Sequence, residues 1–344
     1  MSTTMIGIDP HKASHTAVAI DEHEAVIGEF KVRSSARQVT RLCDWAASFD
    51  DRQWAVESAG GLGYLLSQQL VAAGEVVFDV PPMLASRVRL LGTGRSQKND
   101  PNDARSVAIA ALRSDRLTTV SSEDHSQVLR MLAKRHRDIA RTRAKSATRL
   151  HAVLLELAPG GLSASMSVNK ANIVLAGVQV DSAVVRHRLE VATELIDEIA
   201  ALDDRMKISK KRVSEAVAAS GTTVTNVTGV GPISAAIIVG YTGNIERFPT
   251  KNHYASYNAT APIEASSGDH TRHRLNQRGN RQLNYTMHLA AITQIRLPTE
   301  GRVYYDRKRA EGKSSKEAIR CLRRRISDTV YKRLLADARR RHVS

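Results

Sequence analysis

Two short apolar runs near the start of the chain each stop at a carboxylate: Met5-Ile6-Gly7-Ile8 at Asp9, and Trp54-Ala55-Val56 at Glu57. Runs of this length and composition read as β-strands, and strand ends open into clefts where ligands are held. A third acidic feature follows. Asp100 and Asp103 lie three apart where Pro101 suits a first helical turn, and DARSVAIAALRSD then continues with helical periodicity. Residues three apart share a helix face, so both carboxylates can point one way. Four acids converging without bases would repel one another. Hard divalent cations resolve this, Mg²⁺ first and Mn²⁺ as its alternative, because they prefer oxygen ligands and also bind phosphates. Taken singly, Asp9 and Asp100 also fit turn or cap positions, and Glu57 a solvated strand end. Their order along the chain favours phosphodiester chemistry.

The surrounding pattern sets the fold class. Met5–Asp9, His15–Ile20 and Val26–Val32 read as three successive strands, with Asp21-Glu22-His23-Glu24 as a polar turn. A helix from about Ala36 to Ser48, a strand at Gln53–Glu57, a helix at Leu62–Ala73 and a strand at Glu75–Val80 follow, closed by Pro81-Pro82. Leu91-Gly92-Thr93-Gly94-Arg95-Ser96 reads as a mobile basic linker, or less well as a phosphate cradle, since its spacing matches no P-loop. An acid on the first strand, an acid on a later strand and an acid pair on a helix is the layout of the ribonuclease-H-like nuclease fold in its RuvC-like variant.

The remainder reads as all-α. Residues 121–220 carry two long helical stretches broken near Pro159-Gly160-Gly161. In the second, Val185, Ala192, Ile199, Met206 and Val213 recur every seven residues, with Leu189, Ile196 and Val217 on the interleaved register, which Asp203 and Lys210 interrupt. Such heptads predict a coiled coil, within the chain or between subunits. Gly229-Val230-Gly231-Pro232 precedes the apolar SAAIIVGY and resembles a helix-hairpin-helix turn, whose N–H groups face a phosphate; a ligand-free interhelical turn is the alternative. Ser266-Ser267-Gly268 then stands beside Arg272, Arg274, Arg278 and Arg281, and a final helix from about Ser315 to Arg341 carries Arg323 and Arg324 among many cations. A serine there is either a nucleophile or a phosphate contact. The expected division is a domain at 1–120, a helical oligomerisation region at 121–220 and a C-terminal domain at 221–344.

Charge identifies the partner class. The 344 residues hold 51 Lys and Arg against 35 Asp and Glu, a net charge of +16. Residues 1–115 contain 12 of those bases but 14 of the acids, so the whole excess lies beyond them. Acids come first and a polyanion-binding surface later, which fits a cytosolic nucleic-acid binder. Aromatic residues are only 4%, so base stacking is not its main device. No basic-then-apolar leader and no run of about 18 apolar residues occurs, so neither secretion nor membrane spanning is expected. Cys43 and Cys321 are expected to be reduced, and they cannot supply a zinc cluster.

Jointly these motifs resemble the insertion-sequence one-ten family transposases, relatives of the Piv invertases and described as bridge-RNA-guided recombinases. The resemblance covers nearly the whole chain. It rests on IGID at Asp9, Glu57-Ser-Ala-Gly, KNDPNDA at Asp100 and Asp103, GVGP at Gly229–Pro232, RFP at Arg247–Pro249, and the pattern of Pro262, Ser267-Gly and RGN at Gly279. It implies an N-terminal RuvC-like domain whose Asp9, Glu57, Asp100 and Asp103 hold Mg²⁺. It also implies a C-terminal transposase domain whose Ser267 becomes covalently joined to DNA, with Ser266 one residue away as the alternative. The segment departs from relatives that carry a basic or aromatic residue before Ser-Gly, having Glu264-Ala265-Ser266. Donor and target DNA, a non-coding bridge RNA and a homodimer or homotetramer are the implied partners, in the bacterial cytoplasm at the nucleoid. Gly229, Gly231, Arg272, Arg274, Arg278, Arg281, Arg323 and Arg324 are the expected nucleic-acid contacts. Two rivals remain: a RuvC-like structure-specific endonuclease using water as nucleophile, and an RNA-binding scaffold on a degenerate nuclease fold.

Overall fold

Strand and helix signals alternate through the first third of the chain, and they fold into one mixed sheet. The computed structural model describes residues 3–93, 100–114, 117–162, 167–264, 273–274 and 279–343, in two compact units, Met1–Glu123 and Asp124–Ser344. In the first unit β1 (Thr4–Pro10), β2 (Ser14–Ile20) and β3 (Val26–Arg33) form the expected meander. They are followed by α1 (Gln38–Ala46), β4 (Arg52–Glu57), α2 (Tyr64–Ala72), β5 (Val77–Val80), α3 (Pro82–Thr93), α4 (Asp100–Leu112) and a short β6 (Thr118–Thr119). The sheet order is β3-β2-β1-β4-β5-β6, with β1, β4 and β5 mutually parallel and the other strands antiparallel to their neighbours. This is a ribonuclease-H-like sheet of the kind the acid order implied.

Strand parity sorts the side chains. Ile6, Ile8, Trp54 and Val56 join Leu42 of α1 and Leu66 and Leu70 of α2 in the core on one face. Met5, Ala55 and Val80 join Ala104, Val107, Ala108 and Ala111 of α4 on the other. The residues that continue this second set are Gly7 and Asp9 on β1 and Glu57 on β4. Sheet burial therefore fixes which face the acids take.

One sequence reading is corrected. Leu91-Gly92-Thr93 are not linker; they end α3, which starts at Pro82. Pro82 suits a first helical turn, and Leu84, Ala85 and Val88 supply an apolar stripe packed against the α4 side of the sheet. The rest of that segment, Gly94-Arg95-Ser96, lies outside the described residues.

The second unit contains α5 (His125–Leu157), α6 (Val168–Ala176), α7 (Ala183–Ala219), α8 (Pro232–Thr242), α9 (Lys251–Tyr257), α10 (Arg281–Arg296), α11 (Glu300–Ala310) and α12 (Ser315–Val343), with a two-stranded ribbon, β7 (Ile263–Glu264) and β8 (His273–Arg274). The heptad stripe of α7 is used within the chain: Ala192, Ile196 and Ile199 pack with Ala147, Leu150 and Leu154 of α5. Further along, Val213 and Val217 join a larger core with Leu129 and Ala133 of α5, Ile238 of α8, Leu283 and Met287 of α10, and Leu322, Ile326 and Val330 of α12. Asp203, the residue that interrupted the heptads, forms a two-point ion pair with Arg143 of α5 at 2.5 and 3.1 Å. The break in the apolar register is thus the α5–α7 seam's polar lock. Among the described residues no helix is long and apolar enough to cross a membrane.

Candidate metal centre and flanking sites

Asp9 is the last sheet-facing acid of β1, only 6% exposed, and it pairs across β2 with Thr16. Parallel pairing of Ile8 with Val56 brings the next rung, Asp9 beside Glu57, to one end of the sheet. Helix α4 approaches from the same face at a distance only glycine permits: a Cβ on Gly7 would lie 2.1 Å from the carbonyl oxygen of Ala104 and 2.5 Å from the amide nitrogen of Ala108. That contact lets the first turn of α4, with Asp100 and the 7% exposed Asp103, stand against the end of β1. Gly7 is the positioning residue that the sequence reading passed over, and a glycine between two isoleucines in a strand was its signal.

The donor atoms of Asp9, His11 and Asp100 all lie within 4.8 Å of one another. His11 follows β1 directly, and its Nδ1 is 3.6 Å from Asp9 Oδ2. In the same cross-strand row, the buried Oγ1 of Thr16 has no hydrogen-bond partner among the described residues. Carboxylate oxygens, an imidazole nitrogen and an orphaned hydroxyl are a donor set that fits a hard divalent cation.

The acids do not face one another bare. The ammonium of Lys31 donates to Asp100 Oδ2 at 2.7 Å and holds that carboxyl below the usual carboxylate range. The guanidinium of Arg89, on α3, donates to Asp103. Lys31 belongs to the row of Asp9 and Thr16, since β3 pairs Lys31 with Thr16. The loop after Glu57 is held equally firmly. Ser58 takes a left-handed conformation (φ 52°), and the amide of Ala59 donates to Asp79 Oδ1 on β5 at 2.8 Å, while burial pushes the Asp79 carboxyl up. Sequence reading missed Lys31, Arg89 and Asp79 because their partners are distant in the chain, and it missed His11 because a histidine after a strand end reads as a turn residue until Asp100 is brought beside it.

The other expected contacts divide by location. Ser267, its neighbour Ser266, Arg272 and Arg278 lie outside the described residues, and Arg274 is placed only as a strand position paired with Ile263. Gly229 has a positive φ of 85°, and a Cβ there would meet the backbone of Ala290 at 2.8 Å, so its glycine is demanded by packing on α10. Gly231 stands open at the start of α8 and precedes Pro232 at the first helical position. The short preceding element is a 3₁₀ turn, Val224–Asn226. Arg281 is exposed at the start of α10. Arg324 is engaged by Asp328 at 3.0 Å and by Asn252 at 2.6 Å. Arg323 is buried.

Comparison with known proteins finds transposase matches along the chain. A model of the IS110-type DEDD transposases, described as "Transposase", matches residues 6–159, and one described as "Transposase IS116/IS110/IS902 family" matches residues 221–306. The uncharacterized 44.8 kDa protein of insertion element IS116 from Streptomyces clavuligerus is 27% identical over 95% of this chain and 93% of its own. The uncharacterized 42 kDa protein of insertion element IS900 from Mycobacterium paratuberculosis is 23% identical over 94% of each. Among solved structures, Thermus thermophilus RuvC in complex with a Holliday junction aligns with 34% of this chain and 99% of its own, at 19% identity and a TM-score of 0.28. Matched in both halves by models of one group and along nearly its whole length by insertion-element proteins, the chain belongs to the IS110 family of transposases.

Proposed function

We propose that this transposase cleaves and exchanges donor and target DNA strands of an insertion sequence under the guidance of a non-coding bridge RNA, using the Asp9, Glu57, Asp100 and Asp103 quartet together with Ser267 as nucleophile. The observation that carries the reading is the gathering of Asp9, His11 and Asp100 within 4.8 Å where β1 ends, with Asp103 on the same helix as Asp100. Bound there, Mg²⁺, or Mn²⁺ in its place, supplies Lewis-acid neutralisation of charge on the scissile phosphate. The quartet holds the phosphate's surroundings, and Lys31 and Arg89 stand next to it as cationic groups able to meet the same oxygens.

The role of Ser267 rests on the family resemblance. Its Oγ attacks the phosphorus, a Ser–O–P bond forms as the P–O bond to the departing strand breaks, and the departing oxygen takes up the proton that serine releases. A strand hydroxyl later reverses the exchange, so the phosphodiester energy is conserved and no nucleotide triphosphate is consumed. The action belongs in the bacterial cytoplasm, at the nucleoid, in a homodimer or homotetramer.

Trapping tests the proposal. The protein, its co-purified RNA, Mg²⁺ and DNA carrying the element's junctions are incubated, denatured and examined for a DNA–protein adduct. The expected result is an adduct in wild type that is lost in both Ser267→Ala and Asp9→Asn and kept in Ser266→Ala. Nicked DNA without an adduct, retained in both serine variants, would refute the serine step in favour of hydrolysis by water.

A further inference from the structure

A guanidinium taken out of water without a counter-charge is among the most costly groups a fold can hold. Arg323, in the middle of α12, is only 8% exposed. Its Nη2 reaches the carbonyl oxygen of Asn284 at 3.4 Å, and among the described residues its buried Nε has no partner. Among the described residues no carboxylate pairs with it, whereas Arg324 and Arg340 on the same helix find Asp328 at 3.0 Å and Asp337 at 2.5 Å.

Its neutral neighbours are satisfied, which isolates the exception. The side-chain amide of Asn284 donates to the carbonyls of Asn258 at 3.3 Å and Ala259 at 2.9 Å, and that of Asn258 donates to Ser327 Oγ at 2.8 Å. Asn284 and His288 are one turn apart on α10, and Arg320, Arg323 and Ser327 follow one stripe of α12. The two helices pack together through Leu283, Met287, Leu322 and Ile326. Among the described residues the seam therefore gathers two guanidiniums and an imidazole, and the acid beside them, Glu317, is exposed one turn before Arg320 and makes no ion pair with Arg323. Burial, and then Arg320, push the Arg323 guanidinium down, and burial, and then Arg323, lower His288. A purely internal arginine would be clamped by carbonyls or an aspartate. This one has a long bond, an idle N–H and cationic neighbours, the arrangement of a group whose partner is an anion from outside.

We propose that the α10–α12 seam is an anion site in which Arg323 takes a phosphate group, with the exposed Arg320 at its rim, and that the occupant is a backbone phosphate of nucleic acid. Only the identity of the occupant rests on the proposed function above; the phosphate chemistry does not. Arginine suits this task because its planar fork meets two phosphate oxygens at once.

The test uses the full chain of wild type, Arg323→Met and Arg320→Gln, melted in low-salt chloride buffer with and without inorganic phosphate, and titrated with a short oligodeoxynucleotide across a salt series. In phosphate-free buffer Arg323→Met is expected to melt higher than wild type, since an uncompensated charge is gone, by about 2 to 4 °C. Its phosphate-induced rise should vanish, its oligonucleotide affinity fall on the order of tenfold, and its salt slope drop by about one. Arg320→Gln, an exposed change that does not threaten folding, should reduce the phosphate response in part. A lower melting temperature for Arg323→Met with the wild-type phosphate response would make Arg323 a structural group and overturn the site, as would an unchanged response in Arg320→Gln. A lost phosphate response with unchanged oligonucleotide binding would assign the site to free phosphate and overturn the nucleic-acid occupant. Cleavage at the quartet enters none of these readouts, so failure of the recombinase reading leaves them distinguishable.

Discussion

At the scale of single residues, the candidate metal centre sets a divalent cation against the protein's own cations. Lys31 and Arg89 occupy Asp100 and Asp103, and a divalent ion must share or displace them. The Lys31–Asp100 pair is well exposed, so breaking it costs little. The Arg89–Asp103 pair is mostly buried, and its loss leaves a carboxylate that needs a replacement cation. Lys31→Met is therefore expected to tighten Mn²⁺ binding about two- to fivefold and Arg89→Met about tenfold. Free Mn²⁺ measured by electron paramagnetic resonance checks this, and weaker binding in both variants would show that the two cations assist the metal instead of competing with it. A second residue-scale prediction concerns His15, whose Nε2 sits 3.1 Å from Gln38 Oε1 and whose buried Nδ1 has no partner among the described residues. Burial lowers its pKa below 6.5. The unfolded chain then binds a proton that the folded chain refuses, so stability is full above pH 6.5 and falls as pH drops from there toward the folded value. Denaturant midpoints between neutral and mildly acidic pH should fall less steeply in His15→Gln than in wild type. The placement of Asp9 and Glu57 at strand ends, and of Asp100 and Asp103 in the first turn of one helix, was legible in the sequence because strand parity and a three-residue helix spacing are local rules. Lys31 and Arg89 were not, because pairing them with Asp100 and Asp103 needs the strand register and the path of α3.

Among the elements, the long helices show what periodicity tells and what it leaves open. The sevenfold repeat of α7 announced an apolar stripe, and Ala192, Ile199 and Val213 are indeed buried. A stripe carries no address, however: the same pattern serves a partner helix from the chain or from another subunit. Arg143 on α5, which meets Asp203, supplies the address, and that pair joins residues far apart in sequence. Burial predicts the consequence. Ile199→Ala opens a cavity in the α5–α7 core and should destabilise the chain by about 2 to 5 kcal/mol, whereas Ile208→Ala, at an exposed position of the same helix, should change stability by less than about 0.5 kcal/mol. Urea unfolding followed by helical circular dichroism measures both. Similar losses at both positions would mean that the exposed face of α7 is also covered. α3 escaped detection for a related reason: its glycine-containing C-terminal end looks like linker, and only packing of Leu84, Ala85 and Val88 makes the segment a helix.

For the whole molecule, charge and chemistry are divided along the chain. The acids of the centre belong to a first unit with little net charge, and the cationic excess belongs to the second, where the proposed nucleophile also lies. Asp103 and Ser267 are 164 residues apart, and the proposed strand exchange needs quartet and serine at one phosphate, which one chain or two could supply. This makes a quantitative prediction. Asp9→Ala and Ser267→Ala proteins should each give no adduct alone. In a mixed dimer with sites built in trans, one site combines both defects and the other combines a sound quartet with a sound serine. Random mixing makes half the dimers mixed, so about a quarter of wild-type adduct should return when the two proteins are refolded together. In sites built in cis every site keeps one defect, and no mixture recovers activity. Adduct yield as a function of mixing ratio distinguishes the two: a maximum at equal amounts requires shared sites, and a flat zero line confines quartet and serine to one chain.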